Sequence, residues 1–168
     1  DMVLAYLRLN STHTDFLFKE LDLDDLIRQS IRRFSTEFIR KHIQLNFKET
    51  ADVILSDEKW LVFVLEQILS NSLKYTNENG SISIYMKTKH VLVIEDTGIG
   101  ISASDLNRVF EKGYTGMNGR SDKTASGLGL YLCKNILDML NHKITIESSV
   151  GKGTRVFLDL THFEGRIE

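Results

Sequence analysis

Three short runs in this 168-residue chain place side chains at spacings that suit a phosphorylated, ring-bearing ligand. In the first, Gln67, Asn71 and Lys74 recur at i, i+4 and i+7 and therefore share one face of a helix, while Leu65, Ile68, Leu69 and Leu73 fill the opposite face. An amide oxygen is a hard ligand for magnesium that adds no negative charge, and a lysine ammonium offsets phosphate charge. The alternative is a solvated helix face. The second run, Glu95-Asp96-Thr97-Gly98-Ile99-Gly100-Ile101, follows an apolar strand pattern. A carboxylate there can accept a hydrogen bond from an exocyclic amine, as adenine offers and guanine does not at the corresponding edge, and the glycines let the backbone approach a flat ring. A plain tight turn is the competing reading. The third run, Ser126-Gly127-Leu128-Gly129-Leu130, opens a helix, where backbone N–H groups and the helix dipole favour phosphate oxygens. Glycine also serves close helix packing. No Gly-x-x-x-x-Gly-Lys-Ser/Thr phosphate loop is present.

Between the second and third runs lies Phe110-Glu111-Lys112-Gly113-Tyr114-Thr115-Gly116-Met117-Asn118-Gly119-Arg120. Four glycines within residues 113–127 and few apolar anchors predict a lid, with Lys112 and Arg120 as its cations.

The elements that position these runs follow from hydrophobic spacing, because proline is absent and Gly, Asn and Asp supply the punctuation. Residues 1–10, with Met2, Leu4, Tyr6, Leu7 and Leu9 apolar, read as the end of a helix. Phe16 to Leu23 reads as extended, and Asp22 or Asp24 caps a helix running to about His42. Strands are expected at Gln44–Phe47 and Val53–Leu55, and a second helix from Asp57 to about Tyr75. The second half predicts strands at 81–86 and 91–94, a short helix capped by Ser104 and ending near Phe110, and a helix over 128–141. Two closing strands, 143–149 and 154–160, flank Val150-Gly151-Lys152-Gly153 as a hairpin, so the sheet is expected to be mixed. The fold class is α+β, with helices on one face.

The length suits one domain. A net charge of −2 gives no general attraction to nucleic acid or an anionic membrane, so any anion site must be local. The single cysteine, Cys133, excludes an intramolecular disulfide and suits a reducing compartment. No apolar run is long enough to span a bilayer, and the chain reads as a fragment of something longer, so any membrane anchor is expected upstream.

In order and spacing, the four motifs resemble those of the GHKL ATPase superfamily, most closely the catalytic domain of bacterial sensor histidine kinases. The N box is similar to Gln67–Thr76, the G1 box to Asp96–Gly100, the F box to Phe110–Tyr114 and the G2 box to Gly127–Leu130. The resemblance covers about residues 20–161. It implies a two-layer α/β sandwich (the Bergerat fold) with about three helices on one face of the mixed sheet. It further implies ATP with Mg²⁺, phosphoryl transfer to a histidine, a homodimeric membrane protein of signal transduction with this domain in the cytoplasm, and a response regulator as partner. Residues 1–15 resemble the end of the preceding dimerisation helix and its linker, leaving 16–168 as the catalytic domain. The lid sequence is similar to that of the small peptide-antibiotic-responsive kinases of Gram-positive bacteria. Three positions depart from the family pattern: Gln67 replaces an Asn, Ala125 replaces the first G2 glycine, and Thr115 stands where the F box often ends in Arg.

The roles implied are correspondingly specific. Asp96 fixes adenine, Gly98, Gly100 and Ile101 line the ring, and Tyr75 borders it. Asn71, helped by Gln67, holds Mg²⁺. Lys74 and the Gly127, Leu128 and Gly129 backbone take phosphate oxygens, under a lid anchored by Phe110 and Tyr114. Glu66 is a candidate base or histidine-orienting carboxylate, or else a surface ion-pair partner. None of His13, His42, His90, His142 and His162 has the His-Glu helix context of an acceptor, so the phosphorylated histidine is expected upstream of Asp1. Two rivals remain. A GHKL-type ATP hydrolase needs a glutamate at the Gln67 position to activate water, which glutamine cannot do; a non-catalytic ATP sensor needs only the binding site.

Overall fold

The computed structural model describes residues 2–9, 15–114 and 128–162. Helix α1 (Met2–Leu9) leads into strand β1 (Phe18–Asp22), helices α2 (Leu23–Arg33) and α3 (Ser35–Arg40), and strands β2 (Gln44–Phe47) and β3 (Val53–Asp57). The long helix α4 (Glu58–Tyr75) follows, then β4 (Ser81–Thr88), β5 (Val91–Asp96) and the short α5 (Ala103–Leu106). Helix α6 (Gly129–Met139) and the hairpin β6 (Lys143–Ser149) and β7 (Gly153–Asp159) complete the described chain.

Five strands form the main sheet in the order β2-β4-β5-β7-β6, with β2 parallel to β4 and every other pair antiparallel. The expected mixed sheet is therefore present. Strands β1 and β3 form a separate antiparallel pair. One face of the sheet carries helices α2, α4 and α6, and between the layers lies a core built from Leu61, Leu65, Ile68 and Leu69 of α4, Ile136 of α6, and Ile82, Ile84, Leu92 and Ile94 of the sheet. This is the two-layer α+β sandwich.

Local chemistry sets the helix ends. Asp22 accepts from the Asp24 N–H at 3.0 Å to cap α2, and Asp57 accepts from Trp60 N–H at 3.0 Å to cap α4. Two expectations are corrected. The helix predicted from Asp22 to His42 breaks at Phe34 (φ −106°, ψ 15°) into α2 and α3. The next short helix is capped by Ser102, not Ser104: the Ser102 hydroxyl accepts from Asp105 N–H at 3.2 Å, and the helix stops at Leu106 instead of reaching Phe110.

Helix α1 packs on the domain through Ala5 and Leu9, both in the core, and Tyr6 lies with its ring centroid 6.4 Å from that of Tyr131 on α6. Its Val3, Leu4 and Leu7 are exposed. Among the described residues, no helix is long and apolar enough to cross a membrane.

Candidate functional site

Strand alternation puts Leu92, Ile94 and Asp96 of β5 on the helix-covered face of the sheet. Register then sets Leu92 and Ile94 opposite Leu158 and Val156 of β7, which in turn face Ile144 and Ile146 of β6. One step further, the apolar rows give way to a polar one: Asp96 pairs with Thr154, and Thr154 with Ser148. The carboxylate thus stands where the hydrocarbon core ends. It is only 7% exposed, and it is supplied with donors. Gly98 N–H donates to Oδ1 at 2.9 Å, Thr154 N–H to the same oxygen at 3.2 Å, and Ser72 of α4 hydrogen-bonds the carboxyl group. Burial nevertheless pushes its pKa above the ordinary carboxylate value, and those hydrogen bonds hold back only part of the rise. Both backbone donors converge on Oδ1, so Oδ2 keeps acceptor capacity.

The loop that follows is pressed between α4 and the β6–β7 hairpin. Ile99 N–H donates to the Tyr75 carbonyl at 3.0 Å, and a Cβ on Gly98 would lie 2.5 Å from that same oxygen. Gly100 has φ +75°, and a Cβ there would collide with the Ser149 carbonyl. Gly151 N–H donates to Ile99 O and Ile101 N–H to Ser148 Oγ, both at 2.8 Å. The two glycines of the sequence motif are thus explained by close backbone approach.

On α4, Leu65, Ile68, Leu69 and Leu73 are buried, whereas Gln67 and Asn71 are half-buried on the other side, and neither amide side chain has a hydrogen bond among the described residues. Asn71 immediately precedes Ser72, the residue that reaches Asp96. Two neutral amide groups one turn apart on the helix that also carries Ser72 have the chemistry a phosphate-bound Mg²⁺ takes. Lys74 is exposed, with Nζ 5.4 Å from the Tyr75 ring centroid.

The structure therefore draws Asp96, Gly98, Gly100, Ile101 and Tyr75 into one set of contacts, with Gln67, Asn71 and Lys74 on the adjoining helix. Other predicted residues have different engagements. Glu66 is 3.3 Å from the Arg33 guanidinium of α2, with its side chain 17% exposed, so it is an ion-pair partner in this arrangement. Lys112 Nζ donates to the Tyr6 hydroxyl at 2.5 Å and lies 4.5 Å from that ring centroid; this hydrogen bond raises the lysine pKa. Phe110 packs against the core, and Tyr114 donates to Asp105 with Arg108 stacked 4.2 Å from its ring centroid. Leu128 is half-buried against the core and directly precedes Gly129, the first residue of α6. Arg120 and Gly127, with Thr115, Ala125 and the expected lid from 115 onward, lie outside the described residues.

With this geometry in place, comparison with known proteins is decisive. Residues 56–163 match the family model described as histidine kinase-, DNA gyrase B-, and HSP90-like ATPase. The chain belongs to this ATPase family. It is 37% identical over 162 residues to the sensor protein kinase GraS of Staphylococcus aureus (strain JH1), covering 94% of the chain and 46% of the relative. It is 34% identical over 154 residues to the sensor histidine kinase YxdK of Bacillus subtilis (strain 168), covering 89% and 47%. The chain spans about half the length of the curated relatives it matches. Among solved structures, the catalytic domain of histidine kinase ThkA superposes with a TM-score of 0.75 at 24% identity, covering 88% of this chain and 99% of that one. Full-length ShkA in complex with AMPPNP gives 0.78 at 22% identity, covering 94% and 34%. The fold is that of histidine kinase catalytic domains.

Three residues of this candidate site escaped the sequence reading: Ser72, Thr154 and Ser148. Ser72 lay inside the N-box run, one position from Asn71. Thr154 and Ser148 carry the inward parity of their strands, where a hydroxyl replaces an aliphatic residue, but their approach to Asp96 depends on the β5–β7–β6 register.

Proposed function

We propose that this chain is the ATP-binding catalytic domain of a two-component sensor histidine kinase, transferring the γ-phosphoryl group of ATP to a histidine of the dimerisation domain other than His13. The observation that carries this reading is the buried Asp96 carboxylate with Oδ1 committed to backbone donors and a glycine loop folded beside it. In this reading Asp96 accepts from the adenine amine, Gly98, Gly100 and Ile101 leave room for the ring, and Tyr75 borders it. Asn71 and Gln67 would hold Mg²⁺, which supplies charge neutralisation across the phosphate oxygens. Lys74 and the start of α6, with Gly127, Leu128 and Gly129, take the remaining phosphate charge. Lys112 and Arg120 are the lid's cations, and Phe110 and Tyr114 its anchor. Glu66 would act on the acceptor histidine after leaving Arg33.

Residues 1–15 are assigned to the end of the dimerisation helix and its linker, and 16–168 to the catalytic domain. The full-length protein is then a homodimer in the bacterial cell membrane with this domain on the cytoplasmic side, acting on a cognate response regulator. Relatives from Bacillus and Staphylococcus support placement with Gram-positive kinases. Water activation is disfavoured: the position for a hydrolytic glutamate holds Gln67, and the neighbouring Glu66 is paired with Arg33.

The test is calorimetric titration with ATP, with and without Mg²⁺, followed by labelling of a separately expressed dimerisation fragment from γ-labelled ATP. The expected result is metal-enhanced binding that falls in Asn71→Ala, by roughly tenfold for Mg-ATP and little for metal-free ATP. Label should appear on the dimerisation fragment. Binding without label transfer would select the sensor reading, and phosphate release without label the hydrolase.

A further inference from the structure

Ser148 sits at the outer end of the polar row, on a strand that carries none of the family's motifs, yet its hydroxyl is fully committed. It accepts from Ile101 N–H at 2.8 Å, donates to the Gly153 carbonyl at 2.9 Å, and lies 2.8 Å from Thr154 Oγ1. One proton and two lone pairs satisfy all three contacts when Thr154 donates. The partners are telling. Ile101 is the exit of the 97–101 loop; Thr154 is the residue whose N–H holds Asp96 Oδ1. A Cβ on Gly153 would collide with the Asp96 carbonyl, and φ there is +91°, so this turn of hairpin is pressed onto the end of β5.

We propose that Ser148 is a positioning residue for base recognition, joining the exit of the glycine loop to the strand that orients Asp96. The proposal rests on the reading of Asp96 as the adenine acceptor. A loop containing Gly98 and Gly100 has many conformations open to it, and fixing them before the ligand arrives removes an ordering cost from binding. Backbone bonds restrain the loop at Ile99, through Tyr75 and Gly151. Among the described residues, the tie at Ile101 N–H is Ser148 Oγ. Without that hydroxyl the Ile101 donor loses its acceptor, and the loop can leave the hairpin at its exit while staying attached in the middle. Ser148 touches the loop and Thr154, so its effect falls on the base and not on the phosphates.

The experiment measures adenosine and ADP affinities by calorimetry, well below the unfolding midpoint, for the wild-type chain, Ser148→Ala, Ser148→Cys and Ser148→Thr. Ser148→Ala is expected to weaken both ligands about tenfold and by the same factor, leaving the ADP-to-adenosine ratio unchanged. Ser148→Thr keeps the hydroxyl and should stay within about threefold of wild type. Ser148→Cys, close in shape but a poor hydrogen-bonding group, should follow alanine and serves if the alanine chain does not fold. A merely structural serine would lower the melting temperature and leave the affinities of the folded protein intact; that result overturns the proposal. So does a loss confined to ADP. Failure of the wild-type chain to bind either ligand would instead remove the base-site reading on which the proposal stands.

Discussion

Asp96 is held at the expense of stability, and that expense can be measured. Its folded pKa is raised, chiefly by burial, so the ionised carboxyl destabilises the fold above that pKa and the penalty is relieved as pH falls through it. Asparagine relieves it at every pH. Asp96→Asn is therefore expected to raise the melting temperature of the ligand-free domain by about 3 °C, on the order of 1 kcal/mol. The same change should weaken adenine nucleotides at least a hundredfold, for a geometric reason. Gly98 and Thr154 N–H both point to Oδ1, so the amide oxygen must occupy that position and its NH₂ is left facing an incoming amine, donor against donor. A stabilised domain that binds as before, measured by calorimetry and thermal melting together, would take Asp96 out of the site. Gly98→Ala probes the neighbouring contact. Its Cβ would sit 2.5 Å from the Tyr75 carbonyl, so either the loop or the end of α4 must shift. A loss of 1–3 kcal/mol in denaturant melts is expected, about what overpacking costs elsewhere, with nucleotide affinity falling alongside.

At the scale of elements, the sequence was legible wherever a single segment decided the outcome. The 3.6-residue stripe of α4, the two-residue alternation of β4 and the continuous apolar run of β5 were enough to place Gln67, Asn71 and Asp96 on their elements. Periodicity could not report the break at Phe34. Ile27, Ile31, Phe34 and Phe38 keep helical spacing straight through it, and no Gly or Pro marks the spot; the bend is set by packing, which buries Phe38 and Ile43 in the common core. Ser102 was readable in principle, since Ser102 and Asp105 have the spacing of a helix-capping pair, but Ser104 competed for the same role. The separation of β1–β3 from the main sheet and the alignment of Asp96 with Thr154 and Ser148 are pairings between distant segments, which no local pattern encodes. The contact of α1 with α6 belongs to the same class, and it too can be tested. Leu9 is 3% exposed there, so Leu9→Ala should lower stability by about 2–3 kcal/mol in urea melts. No change would mean that α1 is undocked in solution, and the Lys112–Tyr6 hydrogen bond would go with it.

For the molecule as a whole, acid is the condition that discriminates, through a residue remote from the polar row. His142 follows α6, is 2% exposed, and shares a 2.9 Å hydrogen bond with Ser56 of β3, joining the helical layer to the β1–β3 pair. Burial lowers its pKa to about 4, helped by the nearby His162 and opposed by the Thr161 backbone and Asp159. A histidine whose folded pKa lies below its unfolded value contributes nothing to pH dependence while both states are neutral, above about pH 6.5. As pH falls from there the unfolded chain takes up the proton and the native one does not, so stability drops by about 1.4 kcal/mol per unit until about pH 4, some 3 kcal/mol in all. Asp96 works in the opposite sense, since its raised pKa makes the native state the better proton binder as acid is added. Comparing wild type with His142→Asn and Asp96→Asn separates the two: the first should flatten the acid-side slope and the second should steepen it. Cys133 supplies the readout, because its thiol is fully buried and pushed up to about 12, unreactive until the core opens. Thiol labelling under native conditions should accelerate between pH 6.5 and 5 relative to a small-thiol control, and a nucleotide at a hundred times its dissociation constant should oppose the effect by about 2.7 kcal/mol. Labelling insensitive to pH in the wild type would mean that His142 is not buried as a neutral ring, and the link between the helical layer and β3 would have to be redrawn.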